Sequence, residues 1–441
     1  MSGRCPFATR RGFLTAAGSL VAAAGTTALA VPGGATARAA VLPPEAGGPS
    51  ERRQIEPFWG EHQGGIATPP QTHTYFAAFD LTTDKASDVV AMLRLWTEAS
   101  VRMAAGETAE PLSKDLVKPA ADSGEALGLS PARLTLTFGL GAGLFTKDGK
   151  DRYGLAKRRP QALVDLPRFN GDQMIATYTG GDLSVQACAD DPQVAFHAVR
   201  QLARLAYGHA QIRWTQAGFG SNQAAGGTPR NLMGFKDGTI NPVPEAASKQ
   251  TKGPHQASLE EVVWAGTEGP AWMRGGSYLV VRRIRMALEH WDRMEVGFQE
   301  QVFGRQKYSG APLGRTHELD PLDLAATDKD GNPVIPDSAH VRLGAAESNG
   351  GAQILRRGYS YNDGVSFTAE RWPPWHQGME YDAGLLFLCY QRDPRAGFIK
   401  IYENMSKLDM LNQFVTHNGS GVFACPKGVA RGEFIAEPLF A

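Results

Sequence analysis

The sequence predicts an α+β protein made of two ferredoxin-like halves whose antiparallel sheets pack together. Three observations carry that expectation. Strand-like and helix-like segments follow one another in the order strand, helix, strand, strand, helix, strand. A fainter second copy of that order comes after the first. The composition, 42% hydrophobic and 20% charged over 441 residues, suits a fold able to bury a sizeable core.

In the first half, "HTYFAAFDL" (73–81) alternates as a strand, and "ASDVVAMLRLWTEASVRMAAG" (86–106) carries apolar residues at helical spacing. "ARLTLTFGLG" (132–141) and "QMIATYTGGDLSVQACA" (173–189) look like two further strands, the second with a Gly-Gly turn inside it. "QVAFHAVRQLARLAY" (193–207) is amphipathic at helical period. In the second half, "GSYLVVRRIRM" (276–286) reads as a strand and "HWDRMEVGFQEQVFGR" (290–305) as a helix. "AGLLFLCYQRDPRAGFIKIYENM" (383–405) then mirrors "GDLSVQACADDPQVAFHAVRQL" (181–202). Asp191-Pro192 and Phe196 fall on Asp393-Pro394 and Phe398, a constant offset of 202 residues. An apolar strand leading into Asp-Pro and then a helix is a specific order of elements, and it argues for internal duplication. The expected halves are residues 56–220 and 221–441.

The N-terminus reads as a separate segment. Arg10-Arg11, then Phe13-Leu14, a mildly apolar Ala-rich run and Ala37-Arg38-Ala39 have the layout of a twin-arginine export signal over residues 1–39. Its implied partner is the twin-arginine export machinery, which carries proteins already folded, often with a cofactor inserted. The expected destination is extracellular or periplasmic. Residues 40–55, rich in Pro and Gly, form an exposed leader. No later stretch reaches membrane-spanning length, so no stable membrane insertion is expected. Lys+Arg and Asp+Glu both number 45, which supplies no overall field for nucleic acid. Cys188, Cys389 and Cys425 are too few and too scattered for a disulfide framework and are expected as buried thiols.

Two Gly-rich segments concentrate polar chemistry: "GGTPRNLMGFKDGTINP" (226–242) and "DSAHVRLGAAESNGGAQILRRGYSY" (337–361). None of the ten histidines is paired at the His-x-x-x-His spacing of a metallohydrolase, and no Gly-x-Ser-x-Gly turn marks a serine hydrolase. One histidine ligand with a carboxylate and an arginine elsewhere is a workable haem peroxidase set, although by chemistry alone these residues fit several kinds of site.

"PRNLMGFKDGT" with its Gly-x-x-Asp-Gly core, "HVRL", "NGGAQILRRGYSY" and "AGLLFLCYQRDP", in that order, resemble the dye-decolorising (DyP-type) peroxidases, in the exported branch that includes bacterial deferrochelatase/peroxidases. The resemblance covers essentially all of the chain beyond the signal. It implies paired ferredoxin-like halves with one haem b per chain, held mainly by the C-terminal half. It implies His340 as the proximal ligand to the haem iron, with Asp237 and Arg356 on the distal face and the backbone of Gly238, Thr239 and Ile240 against the haem. Arg357 competes with Arg356 for its role. Arg230 and Arg342 are candidates for the propionates, since guanidinium meets carboxylate in a two-pronged way. Asp393 or Asp382 is expected behind the histidine. The segment "GAAESN" lacks the proline and basic residue of many relatives, so the haem-edge contacts there stay open.

The reaction so implied uses hydrogen peroxide and an organic electron donor, dye-like or phenolic. Asp237 would shuttle a proton between the peroxide oxygens while Arg356 stabilises negative charge. An ordinary aspartate, at about 3.9, stays ionised in acid where a histidine base, at about 6.5, is already charged. Surface Trp and Tyr residues are plausible relay points for electrons, with Trp372, Trp375, Tyr359 and Tyr361 worth testing, although ordinary aromatic packing is the better reading of any one of them. The alternatives are iron release from haem, or a haem carrier or sensor with incidental peroxidase activity. Oligomers are compatible with all of these.

Overall fold

The structure, a computed structural model, describes residues 55–220, 227–248, 257–369 and 377–441. The first half contains β1 (His73–Leu81), α1 (Ala86–Ala104), β2 (Thr135–Gly141), β3 (Leu183–Ala189), α2 (Pro192–Leu205) and β4 (Ala210–Phe219). These strands lie antiparallel in the spatial order β2-β3-β1-β4, the ferredoxin-like arrangement. The second half contains β5 (Ser277–Met286), α3 (Val296–Phe303), α4 (His340–Gly344), β6 (Leu355–Arg356), β7 (Tyr359–Ala369), β8 (Gln377–Gln391), α5 (Phe398–Leu408) and β9 (Val415–Cys425). Its order, β9-β5-β8-β7, repeats the first, with β6 running into β7 along the same edge of β8.

The two sheets are more than packed together. β2 pairs with β9 through Leu140↔Ala424 and Gly141↔Phe423, and β4 meets β7 at Phe219↔Ser360. With β5 on β8, the strands close into one ring, which leaves no long free edge. The ring is filled by Phe76, Trp214, Tyr359, Tyr390 and Phe423. Helices cover its outside: Ala77, Phe79 and Leu81 of β1 meet Trp96 of α1 and Leu202 of α2. Trp96 donates its Nε1–H to Leu202 O at 2.8 Å, which satisfies the indole while its ring stays buried. Because both faces are covered, β2 and β3 are buried along their whole length, including the polar Thr135, Thr137, Ser184 and Gln186 that alternate with their apolar residues.

The duplicated Asp-Pro signal does different work in the two halves. Asp191 caps α2 by accepting from Gln193 N (2.7 Å) and Val194 N (3.3 Å), with Pro192 at the first helical position. Removing that cap costs about 1 kcal/mol. Asp393 accepts from Arg395 N at 2.8 Å in a turn, and α5 starts only at Phe398.

Several expectations are corrected. The run 173–189 is strand only from Leu183, because Gly180 and Gly181 break it and a short 3-10 turn occupies Ala176–Tyr178. The helix expected over 290–305 is two pieces, Leu288–Trp291 and Val296–Phe303. Tyr359 and Tyr361 are not surface groups; both are buried, since β7 turns them inward. Trp372 and Trp375 lie outside the described residues, as do residues 1–54. The three cysteines are free and buried, as expected. No helix among the described residues is long and apolar enough to cross a membrane.

Candidate active site

The second half differs from the first by a long connection, residues 304–354, between α3 and β6. It carries His340, the first residue of α4. Gly304, at φ +80°, lets this segment close down on α3: a Cβ there would sit 2.6 Å from Val341 and 3.1 Å from Ala339. The His340 ring lies 5.8 Å from that of Phe303, which stacks at 4.0 Å on Phe235, two residues before Asp237. Phe303 therefore sets the imidazole and the Gly-x-x-Asp-Gly loop about one aromatic ring apart.

Behind His340 stands Asp409. Its Oδ2 lies 2.7 Å from His340 Nδ1, while its Oδ1 accepts from Leu411 N at 2.8 Å as a helix cap. Both oxygens are fixed and the carboxylate is nearly inaccessible. With Nδ1 donating to Asp409, Nε2 is an unprotonated lone pair with no protein partner among the described residues. Burial lowers the His340 pKa, but the charge and hydrogen bond of Asp409 outweigh it, so the net direction is upward; Asp237 adds to the rise and Arg356 opposes it. Both are thus within electrostatic reach of the ring.

Asp237 Oδ1 lies 3.3 Å from Arg356 Nη1. The loop carrying Asp237 is held by its own N–H to Pro229 O (2.8 Å) and turns at Gly238, φ +104°. Arg356 is placed by β6: Asn241 accepts from Arg356 N at 3.0 Å and donates to Arg356 O at 2.9 Å, standing in for a neighbouring strand. A further bond runs from Arg356 Nη2 to Ile240 O at 2.9 Å. Side-chain accessibilities of 33% for His340, 33% for Asp237 and 31% for Arg356 leave each of the three groups partly open to solvent.

Strand alternation decides between the adjacent arginines. Arg357 points into the ring of strands, buried, and bonds Thr68 O and Gln71 Oε1. Only Arg356 meets Asp237. Arg230 and Arg342 are not brought to this group as free cations. Arg230 donates to the carbonyls of Gly234, Lys307 and Tyr308, and Arg342 to those of Leu324 and Ile335. Behind the histidine, neither expected aspartate serves. Asp382 pairs with Arg283 and Asp393 with Arg395. Asp409 escaped notice because it lies 69 residues from His340; its one sequence signal is a cap position before "MLNQ".

Comparison with known proteins fits this geometry. Residues 63–220 match the family model "Dyp-type peroxidase, N-terminal", and residues 228–430 match "Dyp-type peroxidase, C-terminal". The chain belongs to the DyP-type peroxidases. It is therefore a haem-dependent peroxidase. A dye-decolorizing peroxidase of Thermobifida fusca is 38% identical over 392 residues, 86% of this chain and 83% of that one. A deferrochelatase of Escherichia coli K12 is 36% identical over 391 residues, 86% of each. The structure of ferric DtpA from Streptomyces lividans superposes with a TM-score of 0.78 at 39% identity, covering 90% of this chain and all of that one. DyP-type peroxidases bind haem, and the donor set here fits it: a partly accessible histidine whose second ring nitrogen has no partner among the described residues is backed by a buried carboxylate, and the same half carries an aspartate–arginine pair.

Proposed function

We propose that in this peroxidase His340 Nε2 would hold the haem iron and that Asp237 is the proton shuttle for hydrogen peroxide. The observation that carries the reading is that, among the described residues, His340 is committed through Nδ1 only, to a buried carboxylate, while Asp237 is paired with Arg356. Haem, when bound, supplies the iron that receives the peroxide and stores its oxidising power. Asp409 holds the Nδ1 proton, so the neutral ring presents its Nε2 lone pair as a ligand already oriented. Asp237 accepts a proton from one peroxide oxygen and returns it to the other, which turns the departing oxygen into water. Arg356, anchored through Ile240 O and Asn241, holds Asp237 and presents positive charge to the oxygen that departs. Gly238, Thr239 and Ile240 bring backbone rather than bulk to the same side. Arg230 and Arg342 would need to release carbonyls to meet propionates, so we place the first demand for haem binding on His340. Dye-like or phenolic donors fit the family name carried by the Thermobifida relative. Export through the twin-arginine route fits Arg10-Arg11 and the Ala37-Arg38-Ala39 site.

The test is the ultraviolet-visible spectrum of the purified haem-loaded protein, before and after one equivalent of hydrogen peroxide. A Soret band that shifts on mixing and returns when a reducing dye is added supports the reading. Asp237→Asn should slow the shift by about 10³-fold with the haem content unchanged; an unaltered rate would remove Asp237 from the role. A second reading, iron release from haem, is favoured by the deferrochelatase names of several relatives. It predicts free protoporphyrin on incubation with haem and reductant.

A further inference from the structure

We infer that Glu318 is the positioning residue of the distal loop, strapping both sides of Asp237 to the connection that also carries His340. The inference rests on the proposed role of Asp237 and deepens it.

The loop turns at Gly234 (φ +86°) and Gly238 (φ +104°), and its own bond from Asp237 N to Pro229 O fixes backbone rather than the carboxylate. A further restraint comes from outside. Glu318 Oε1 accepts from the hydroxyl of Thr239 at 3.0 Å, and Glu318 Oε2 pairs with Lys236 Nζ. These are the residues one before and two after Asp237. One side chain thus gathers two points of the loop, one on each side of the group that must meet peroxide.

The strap is itself anchored. Arg305, buried just past the end of α3, donates from Nη1 to Glu318 O at 2.9 Å and to Gly310 O at 2.7 Å. Glu318 and Lys236 keep only 16% and 21% of their side chains accessible, so the pair is poorly screened by solvent. Burial raises the Glu318 pKa, but the donors of Lys236, Thr228 and Thr239 pull it down further, and the net direction is below the usual range. The strap therefore stays ionised in mild acid, the same range in which a carboxylate proton shuttle is useful. Asp237 receives only one side-chain bond of its own, from Arg356 at 3.3 Å. A misplacement of about 1 Å at such a group costs about 10²-fold in rate.

Glu318→Gln keeps the volume and one acceptor oxygen but turns an amide toward Lys236 or Thr239. Lys236→Met, which keeps the aliphatic stem, is the second variant should the first fold poorly. Two quantities are read: hydrogen–deuterium exchange of residues 228–240, and the rate of the Soret shift on mixing the haem-loaded protein with hydrogen peroxide. The expected result is faster exchange confined to 228–240 and a peroxide reaction slowed 10- to 100-fold, with haem content unchanged. Adding either change to Asp237→Asn should slow the reaction no further, because the effect passes through Asp237. Unchanged exchange would overturn the strap. Faster exchange with an unchanged peroxide rate, while Asp237→Asn alone is slow, would overturn the positioning role. If Asp237→Asn reacts at the parent rate, the Asp237 reading itself falls and takes the positioning role with it, whatever the exchange shows.

Discussion

The two halves share one topology and each sets a histidine against carboxylates at the same place, between the connection after the first helix and the second helix. They use that arrangement in opposite ways. In the first half, Asp122 and Glu125 sit in the connection and His197 on α2; Nε2 lies 3.4 Å from Asp122 and Nδ1 3.3 Å from Glu125. Both ring nitrogens are taken and only 6% of the side chain is accessible. In the second half the histidine sits in the connection and the carboxylate follows α5. His340 is taken at one nitrogen and a third of it is accessible. The same pair of residue types is a closed structural clasp in one copy and an open ligand in the other. What separates them is one nitrogen unclaimed among the described residues and a side chain left a third accessible.

The sharpest way to break this contrast is to remove each histidine. His340→Ala should abolish haem retention, read as the haem-to-protein ratio after gel filtration, while leaving the fold intact. His197→Ala should do the reverse. Haem content stays at the parent value, and the uncompensated buried carboxylates cost about 3 kcal/mol, read as a drop of several degrees in Tm. Loss of haem in His197→Ala would mean that the first half takes part in the site.

The carboxylates sharpen it next. Asp409→Asn leaves His340 in place but removes the anion behind it. Haem affinity or activity should fall about 10- to 100-fold, and the iron midpoint potential should move to more positive values, measured by redox titration. Asp122→Asn should leave both untouched. An unchanged potential in Asp409→Asn would show that the 2.7 Å contact only orients the ring.

These expectations also mark where the sequence could be read and where it could not. The duplication was legible because periodicity and Asp-Pro order survive in local sequence. Ring closure was not, for it rests on two residue pairs between β2 and β9 and one between β4 and β7, too few to leave a pattern. His340, Asp237 and Arg356 were legible because the Gly-rich segments around them resemble a family motif. Asp409 and Glu318 were not. Each acts across a distance, 69 residues to His340 and 79 to Thr239, from a stretch with no motif of its own. Tyr359 and Tyr361 take the packing reading rather than the relay one for a related reason: in a closed ring the inner face of a strand is as dry as the face under the helices.

The smallest effect is the most discriminating for the closed clasp. Burial pushes the Glu125 carboxyl up, but the Ser123 hydroxyl, its own backbone N–H and the charge of His197 bring it down to about 2 from the usual 4.5. A carboxyl lowered on folding adds stability above its unfolded value and loses that contribution as pH falls toward its folded value. For Glu125 the window runs from about pH 4.5 down to about 2. Glu125→Gln should therefore lower stability at neutral pH by on the order of 1 kcal/mol, given partial screening by solvent, read as a drop in Tm. The gap between parent and variant should hold to about pH 5, narrow through that window and close near its lower end. Haem content and peroxide rate should not follow it. Glu318, also lowered on folding, should show the opposite balance, with a small change in Tm and a large one in the peroxide reaction, because its charge restrains a loop whose Asp237 is left partly open rather than a clasp already shut. A gap for Glu125→Gln that ignores pH would mean packing, not charge, closes the first half.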